Sequence, residues 1–378
     1  MERARGEVVL VTGAQGFLGR HVVRHLRKDE TVKEIRELDK QPSDQSENGD
    51  EAVTEDGKLM KTYQRDLKDM ESCRSVLKDV DVVLHCAALV SYEFPPSKEA
   101  LRANNVLATE NLLKLCIEEG VNRFIYCSTT EVTLQSYGRG GFISVVIYAN
   151  ETKSGTPENG DKLIFGEYAA SKLEAEKLVL RANEKSLANG KGVLHTLSLR
   201  PSFLYGDGDE KFIGKFLKIG KNRGNSLLRL AGVGGKQQIT YVGNAAWAFI
   251  CAKNALRESP ESVAGLPITI TDDTPVIDVL RFCQKVSKDS KNCVSPSAWN
   301  IPSLFSYLCG WIVEILTNFD PGFFGKLPIA PRSVVAYMGS LILYDRTRAS
   351  IHLNYDPYYS ADESLTRASN YYCKLLDN

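Results

Sequence analysis

Short apolar runs alternate with amphipathic stretches through the first half of the chain. VVLVTG (8–13) is followed by an amphipathic segment to about Lys28, then EIRELD (34–39), VDVVLHCAA (80–88), a helical pattern from about Glu99 to Glu119, NRFIYCST (122–129), a second helix from about Tyr168, and VLHTLSLRP (193–201). Runs without polar alternation are what strands covered on both faces look like, and helices between them predict βαβ units. The expected fold is α/β, a doubly wound parallel sheet over residues 1–200. A smaller mixed C-terminal substrate-binding part, 201–378, is expected to interleave with that core.

Two stretches depart from this rhythm. Residues 41–58, QPSDQSENGDEAVTEDGK, hold six acids, one base and almost no apolar side chains, and read as a solvated loop. SLFSYLCGWIVEIL (303–316) is the most apolar region, and SVVAYMGSLILY (333–344) is a second such run. Fourteen helical residues reach only about 21 Å, short of the roughly 20 residues that span a bilayer. The 303–316 segment therefore reads as core, channel wall or an interfacial membrane helix.

Composition narrows the class. With 378 residues, 43% hydrophobic, and 47 basic against 47 acidic side chains, the chain is neither disordered nor a small disulfide scaffold. Zero net charge argues against nucleic-acid binding, which needs a cationic surplus, and points to a small-molecule partner. Nine scattered cysteines without a CxxC pair read as reduced, mostly buried thiols. The five histidines form no HExxH or Cys/His cluster, so no metal site is expected. The apolar run before Gly13 is too short for a signal peptide and reads as a buried strand.

Thr12-Gly13-Ala14-Gln15-Gly16-Phe17-Leu18-Gly19 joins the first strand to the first helix. Glycines at 13, 16 and 19 permit a tight turn and close backbone approach to a pyrophosphate at the positive helix end, with Phe17 and Leu18 in the same turn. The second strand ends at Asp39, where a carboxylate accepts hydrogen bonds from an adenosine ribose diol and repels a 2′-phosphate, favouring NAD over NADP. Asp66, with Leu67 beside it, is a candidate adenine contact, helix capping being the other reading of a loop aspartate.

Tyr168-Ala-Ala-Ser-Lys172 places a phenol and an ammonium on one helix face. A phenol with a pKa of about 10 is a poor base at neutral pH, but a nearby ammonium stabilises the phenolate; lowering the pKa by about three pH units takes roughly 4 kcal/mol. Tyr168 can then exchange a proton with a substrate hydroxyl or carbonyl. Ser128-Thr129-Thr130 follows the strand NRFIYC at a carboxyl end of the sheet, where ligands of open α/β folds bind and a hydroxyl can hold a substrate oxygen.

In this order, TGxxGxxG, Asp39, the hydroxyls after FIYCS, YxxxK and Leu199-Arg200-Pro201 resemble an extended short-chain dehydrogenase/reductase with a Rossmann core. FIYCSTTEV, LRPSFLYGDGD, TYVGNAAWAFICAKNAL and TDDTP are similar to the 3β-hydroxysteroid dehydrogenase/Δ5-4 isomerase family, from about residue 7 to the final helix. The resemblance implies that Tyr168 transfers the proton, that Lys172 activates it and holds a ribose, and that Thr129 is the catalytic hydroxyl. It places Asn105 among the organising residues and Pro201, Ser202 and Phe203 beside the nicotinamide. The family's isomerase step uses a tyrosine and an aspartate just before the DDTP-like segment. Here that stretch is Ile268-Thr269-Ile270-Thr271-Asp272-Asp273, so the tyrosine is missing.

The expected activity is NAD-dependent oxidation of a 3β-hydroxyl on a steroid or sterol. The alternatives are a decarboxylating sterol-4-carboxylate 3-dehydrogenase, a nucleotide-sugar epimerase or dehydratase, and a catalytically silent NAD-binding scaffold. The resemblance also implies attachment through 303–316 to the cytosolic face of the endoplasmic reticulum, with a mitochondrial membrane or the cytoplasm as alternatives, and leaves a homodimer open.

Overall fold

The computed structural model describes residues 6–42, 51–54, 57–136, 143–320 and 325–378. Val9, Val11, Val82, Leu84, Ile125, Leu197 and Leu199 are all fully buried, as expected of runs covered on both faces. They lie on β1 (Glu7–Thr12), β5 (Val82–His85), β6 (Arg123–Cys127) and β7 (His195–Pro201), which pair in parallel with β2 (Val32–Asp39) and β4 (Leu59–Gln64) in one sheet. The strand order is 8-7-6-5-1-2-4-3, where β8 is Pro267–Ile270 and β3 is Glu51–Val53. Chain order reverses between β1 and β5, the crevice where open α/β sheets bind ligands.

The helices cover both faces. α1 (Phe17–Leu26) and α2 (Met70–Leu77) follow β1 and β4. α3 (98–119) runs through a π-helical turn at Arg102–Leu107, and α4 (Gly166–Arg181) precedes β7. α5 (Val242–Glu258) packs against α1, with the His25 Nε2 nitrogen hydrogen-bonded to the Gly243 carbonyl at 3.1 Å. β8 pairs with β7, from Pro267 opposite Ser198 to Ile270 opposite Pro201. Residues beyond 201 thus complete the dinucleotide sheet itself.

The acidic stretch differs from the expected loop. Glu51–Val53 forms the antiparallel edge strand β3 against β4, because backbone pairing at an open edge needs no apolar side chains. Residues 43–50 and 55–56 of that stretch lie outside the described residues, as do residues 1–5. The cysteines are all free thiols, but only Cys73, Cys116, Cys251 and Cys283 are buried; Cys309 is exposed.

The apolar segment forms α6 (Ser303–Phe319), with its polarity inverted. Its buried residues are Ser306, Gly310, Glu314 and Thr317, whereas Phe305 is 61%, Trp311 47% and Phe319 90% exposed. The buried face packs on α7 (Pro331–Gly339), where Glu314 accepts hydrogen bonds from the Arg332 backbone N–H at 2.9 Å and from its Nε at 2.6 Å. A Cβ at Gly310 would lie 3.2 Å from the Pro331 Cβ, so the small residue allows this approach. No helix among the described residues is long and apolar enough to cross a membrane.

Candidate active site

A cavity of about 530 Å³ runs along the carboxyl ends of the strands, from Asp39 and Asp66 at one end past Thr129, Tyr168 and Lys172 to Phe203 and Phe212. The turn after β1 forms its floor. Gly13 has φ +69°, and a Cβ there would fall 2.6 Å from the Ala87 backbone; one at Gly19 would fall 2.0 Å from the Gly13 carbonyl oxygen. The turn, α1 and the end of β5 are therefore as close as bare backbone permits. Among the described residues no side chain caps α1 at Gly16, and the first turn of α1 holds no acid, which leaves its N–H groups for an anion. Gly16, Phe17 and Leu18 line the same stretch.

Asp39, at the end of β2, accepts hydrogen bonds from the Gln15 N–H and the Gln41 N–H, both at 3.0 Å, and faces the cavity as a fixed carboxylate. Asp66 and Leu67 line the cavity too; helix capping falls instead to Asp69, which accepts from the Ser72 N–H. Pro201, at the end of β7, and Ser202 border the middle. This trough fits a dinucleotide, with a backbone cradle for the pyrophosphate and a carboxylate for a ribose diol.

Tyr168 and Lys172 are both buried on α4. The Lys172 ammonium donates to the Cys127 carbonyl at 2.6 Å and lies 4.3 Å above the Tyr126 ring. Burial lowers its pKa, opposed chiefly by Cys127 and Glu176. Tyr168 differs from the sequence expectation: burial, reinforced by Glu131 and Cys127, holds its phenol well above the usual value. With the lysine tied to a carbonyl, phenolate formation requires further positive charge in the cavity.

Thr129 lies two residues past the end of β6 and caps the single turn Thr130–Thr133. Its hydroxyl donates to Glu131 Oε1 at 3.2 Å, and Tyr92 donates to the same oxygen at 2.9 Å. Ser128 also lines the cavity; Thr130 is buried, and its carbonyl accepts from Thr133 at 2.8 Å. Asn105 organises the site from behind. Among the described residues that line the cavity it does not figure, yet its side chain bonds both backbone groups of Leu89 and donates to Ser171 Oγ at 2.9 Å, whose hydroxyl donates to the Tyr168 carbonyl at 2.7 Å. It sits in the π-helical turn, and through Leu89 and Ser171 it ties that turn to the cavity wall and to α4.

Sequence reading missed Tyr92 and Glu131. Glu131 carried a signal, an acid directly after the hydroxyl cluster and inside an apolar context. Tyr92 carried none, since it lies in a segment without periodicity; its ring centroid is 5.1 Å from that of Tyr168. Asp272 accepts hydrogen bonds from the Tyr241 N–H, the Asn244 side chain and the Thr274 N–H. It belongs to this network and does not line the cavity.

The sheet, the glycine turn, the acid after β2 and the Tyr–Lys pair after a hydroxyl-bearing strand end define an extended short-chain dehydrogenase/reductase. The chain belongs to the 3-beta hydroxysteroid dehydrogenase/isomerase family, whose model matches residues 10–302. The family is NAD-dependent, in keeping with the trough described above. Solved structures with the same fold include MoeE5 in complex with UDP-glucuronic acid and NAD, 20% identical, with a TM-score of 0.65 over 97% of this chain and 98% of that one. UDP-glucuronic acid 4-epimerase from Bacillus cereus is 19% identical, with a TM-score of 0.66 over 97% and 99%. The structure of gox2253 is 23% identical, with a TM-score of 0.67 over 98% of each chain.

Proposed function

We propose that this chain oxidises a 3β-hydroxyl on a steroid or sterol with NAD. The carrying observation is the composition of the cavity beyond Tyr168. Val90, Tyr92, Phe203, Leu204 and Phe212 form its walls; of the four cations that line the whole cavity, Lys40 and Arg65 neighbour Asp39 and Asp66 at the far end, which leaves Lys172 and Lys211 for this one. Phe203 stacks 4.4 Å from Phe212 and 4.6 Å from Tyr337, centroid to centroid. Such walls suit a rigid hydrocarbon skeleton; a uridine diphosphate demands several cations or oriented N–H groups.

Bound NAD supplies the hydride acceptor and a positive charge. Tyr168, as phenolate, takes the hydroxyl proton while the hydride leaves the same carbon, so the alcohol becomes a ketone and Tyr168 becomes neutral. Thr129 donates to the reacting oxygen and fixes its distance to the phenol. Lys172 supplies a buried charge on the Cys127 side. The Δ5-4 isomerase step has no carrier in the family's usual segment, because the tyrosine is absent and Asp272 is committed to the Tyr241 and Thr274 N–H groups and the Asn244 side chain.

The experiment is a panel of a Δ5-3β-hydroxysteroid, a 4-carboxysterol and a UDP-sugar, with NAD and NADP in parallel. NAD reduction on the first, reduced by orders of magnitude in Tyr168→Phe with NAD affinity retained, is expected. Reduction on the 4-carboxysterol alone assigns the decarboxylating reaction, and turnover only of the UDP-sugar overturns the steroid reading.

We also propose that the outer face of α6 lies in a membrane surface, that of the endoplasmic reticulum from the cytosolic side. Leu304, Phe305, Leu308, Ile312, Ile315 and Leu316 are exposed on it. Zero net charge makes attachment depend on buried apolar area rather than on anionic lipid. A homodimer formed through this face is the competing arrangement.

A further inference from the structure

A carboxyl group stands among the catalytic hydroxyls, and the reaction as derived leaves it without a role. Glu131 lies on the Thr130–Thr133 turn, is 3% exposed and lines the cavity. Its Oε1 accepts from Tyr92 at 2.9 Å and from Thr129 at 3.2 Å. Its Oε2 is buried and has no hydrogen-bond partner among the described residues.

The groups facing Glu131 come from every element around it. Cys127 ends β6 and Thr129 caps the turn after it, Tyr92 belongs to the loop after β5, Tyr168 and Lys172 to α4, Tyr337 to α7, and Tyr344 to the strand Leu341–Tyr344. Lys172 is the one cation in this set, and its ammonium is committed to the Cys127 carbonyl. A carboxylate here leaves one charged oxygen buried and unpartnered, whereas a neutral acid carries its proton on Oε2 and leaves no buried charge. Burial accordingly pushes the Glu131 pKa up to about 8, against the hydrogen bonds from Tyr92 and Thr129 and the charge of Lys172.

We propose that Glu131 is a positioning residue that must be uncharged for turnover: as a neutral acid it leaves the single proton of the Thr129 hydroxyl for the substrate oxygen, and as a carboxylate it takes that proton for itself. The inference rests on the reading of Thr129 as the donor to the reacting oxygen. A hydroxyl has one proton to give, and the Thr129 oxygen already accepts from the Glu131 N–H at 3.3 Å, so its remaining freedom is the direction of that proton. A carboxylate is a stronger acceptor than an alcohol oxygen and wins it; a neutral carboxyl does not. The charge of Glu131 also ranks next after burial in holding the Tyr168 phenol up, so ionisation opposes phenolate formation as well. Both effects act in one direction: once bound NAD has let Tyr168 ionise, the ionisation of Glu131, about 8 in the empty site, removes turnover as pH rises.

The test is kcat against pH at saturating NAD, on the best alcohol of the panel, for the wild type, Glu131→Gln, Tyr92→Phe and Thr129→Val. The wild type should lose about tenfold per pH unit above the pH at which Glu131 ionises in the NAD complex, which the positive charge of bound NAD brings below the about 8 of the empty site. Glu131→Gln, whatever its absolute level, should lack that limb. Tyr92→Phe removes a bond that favours the carboxylate and should move the limb to higher pH. An unchanged limb in Glu131→Gln, or an unmoved one in Tyr92→Phe, overturns the proposal; if Glu131→Gln does not fold, the Tyr92→Phe arm decides. Carbon-13 NMR of glutamate-labelled protein reads the charge without turnover. One carboxyl signal should titrate near 8 and be missing from Glu131→Gln, and its absence from the wild type overturns the proposal. Normal turnover in Thr129→Val sinks the donor reading instead, and no turnover on any alcohol sinks the dehydrogenase reading, while the labelled signal still reports on Glu131.

Discussion

Replacing Gly19 by alanine puts a methyl group 2.0 Å from the Gly13 carbonyl oxygen and 2.8 Å from the Ala14 Cα, both backbone atoms that no rotamer change can move. Non-bonded carbon settles at about 3.5 Å or more from its neighbours, so the first turn of α1 and the glycine turn must part by at least ~1 Å. A pyrophosphate bound there takes charge-assisted hydrogen bonds worth about 1.5–3 kcal/mol each, and a 1 Å opening removes most of one or two. The expected loss is about 2–4 kcal/mol, a roughly thirty-fold to several-hundred-fold rise in the Kd for NAD. Gly16→Ala is the graded control, since its Cβ would meet the Gly13 oxygen at 3.1 Å and need only a few tenths of an ångström; less than about a tenfold rise is expected. Calorimetric titration with NAD, with a thermal melt of each variant to establish folding, measures both. Folded Gly19→Ala binding NAD as tightly as Gly16→Ala would refute the backbone cradle.

Two other outcomes follow from burial. His21 and His25 are held neutral, burial lowering both from 6.5 to about 4, so the unfolded chain binds protons that the folded one refuses between those values. Stability is therefore full above 6.5 and lost as pH falls toward 4, by about 3 kcal/mol for each histidine taken alone. Melting temperature against pH should be measurably flatter over this range in His25→Gln, and equal slopes contradict the assignment. For α6, Trp311→Glu with Ile312→Glu should abolish co-sedimentation with neutral lipid vesicles and leave turnover of a detergent-dispersed substrate intact; retained sedimentation, or a dimer that the double variant dissociates, removes the membrane reading.

Much of the site was legible because its chemistry is local in sequence. Gly13, Gly16 and Gly19 fall within one short segment, Tyr168 and Lys172 within one helical turn, and Asp39 at the end of a run whose place in the alternation reads as the second strand. Three things were hidden. The polarity of α6 was illegible because a run's apolar content says nothing of which side faces inward; the buried side was fixed by Glu314 meeting Arg332 and by Gly310 meeting Pro331. The strand Glu51–Val53 was masked by the acidic stretch around it, since edge pairing is a backbone property. The hydroxyl–carboxyl arrangement of Tyr92, Thr129 and Glu131 joins residues 39 apart in sequence, and no periodicity encodes such a meeting.

The place of Pro267–Ile270 beside β7 has a consequence for how the chain is made. On the ribosome, the nucleotide-binding half emerges first, yet β7 keeps an unpaired edge until some seventy further residues have been synthesised. α5, which covers α1, arrives in the same interval. A chain ended after Pro201 therefore presents a sticky strand and an uncovered helix, and should accumulate in inclusion bodies rather than as a small NAD-binding protein. The nucleotide-binding half cannot mature, or be transplanted, without residues 202–270, among which Phe203, Leu204 and Phe212 also line the cavity.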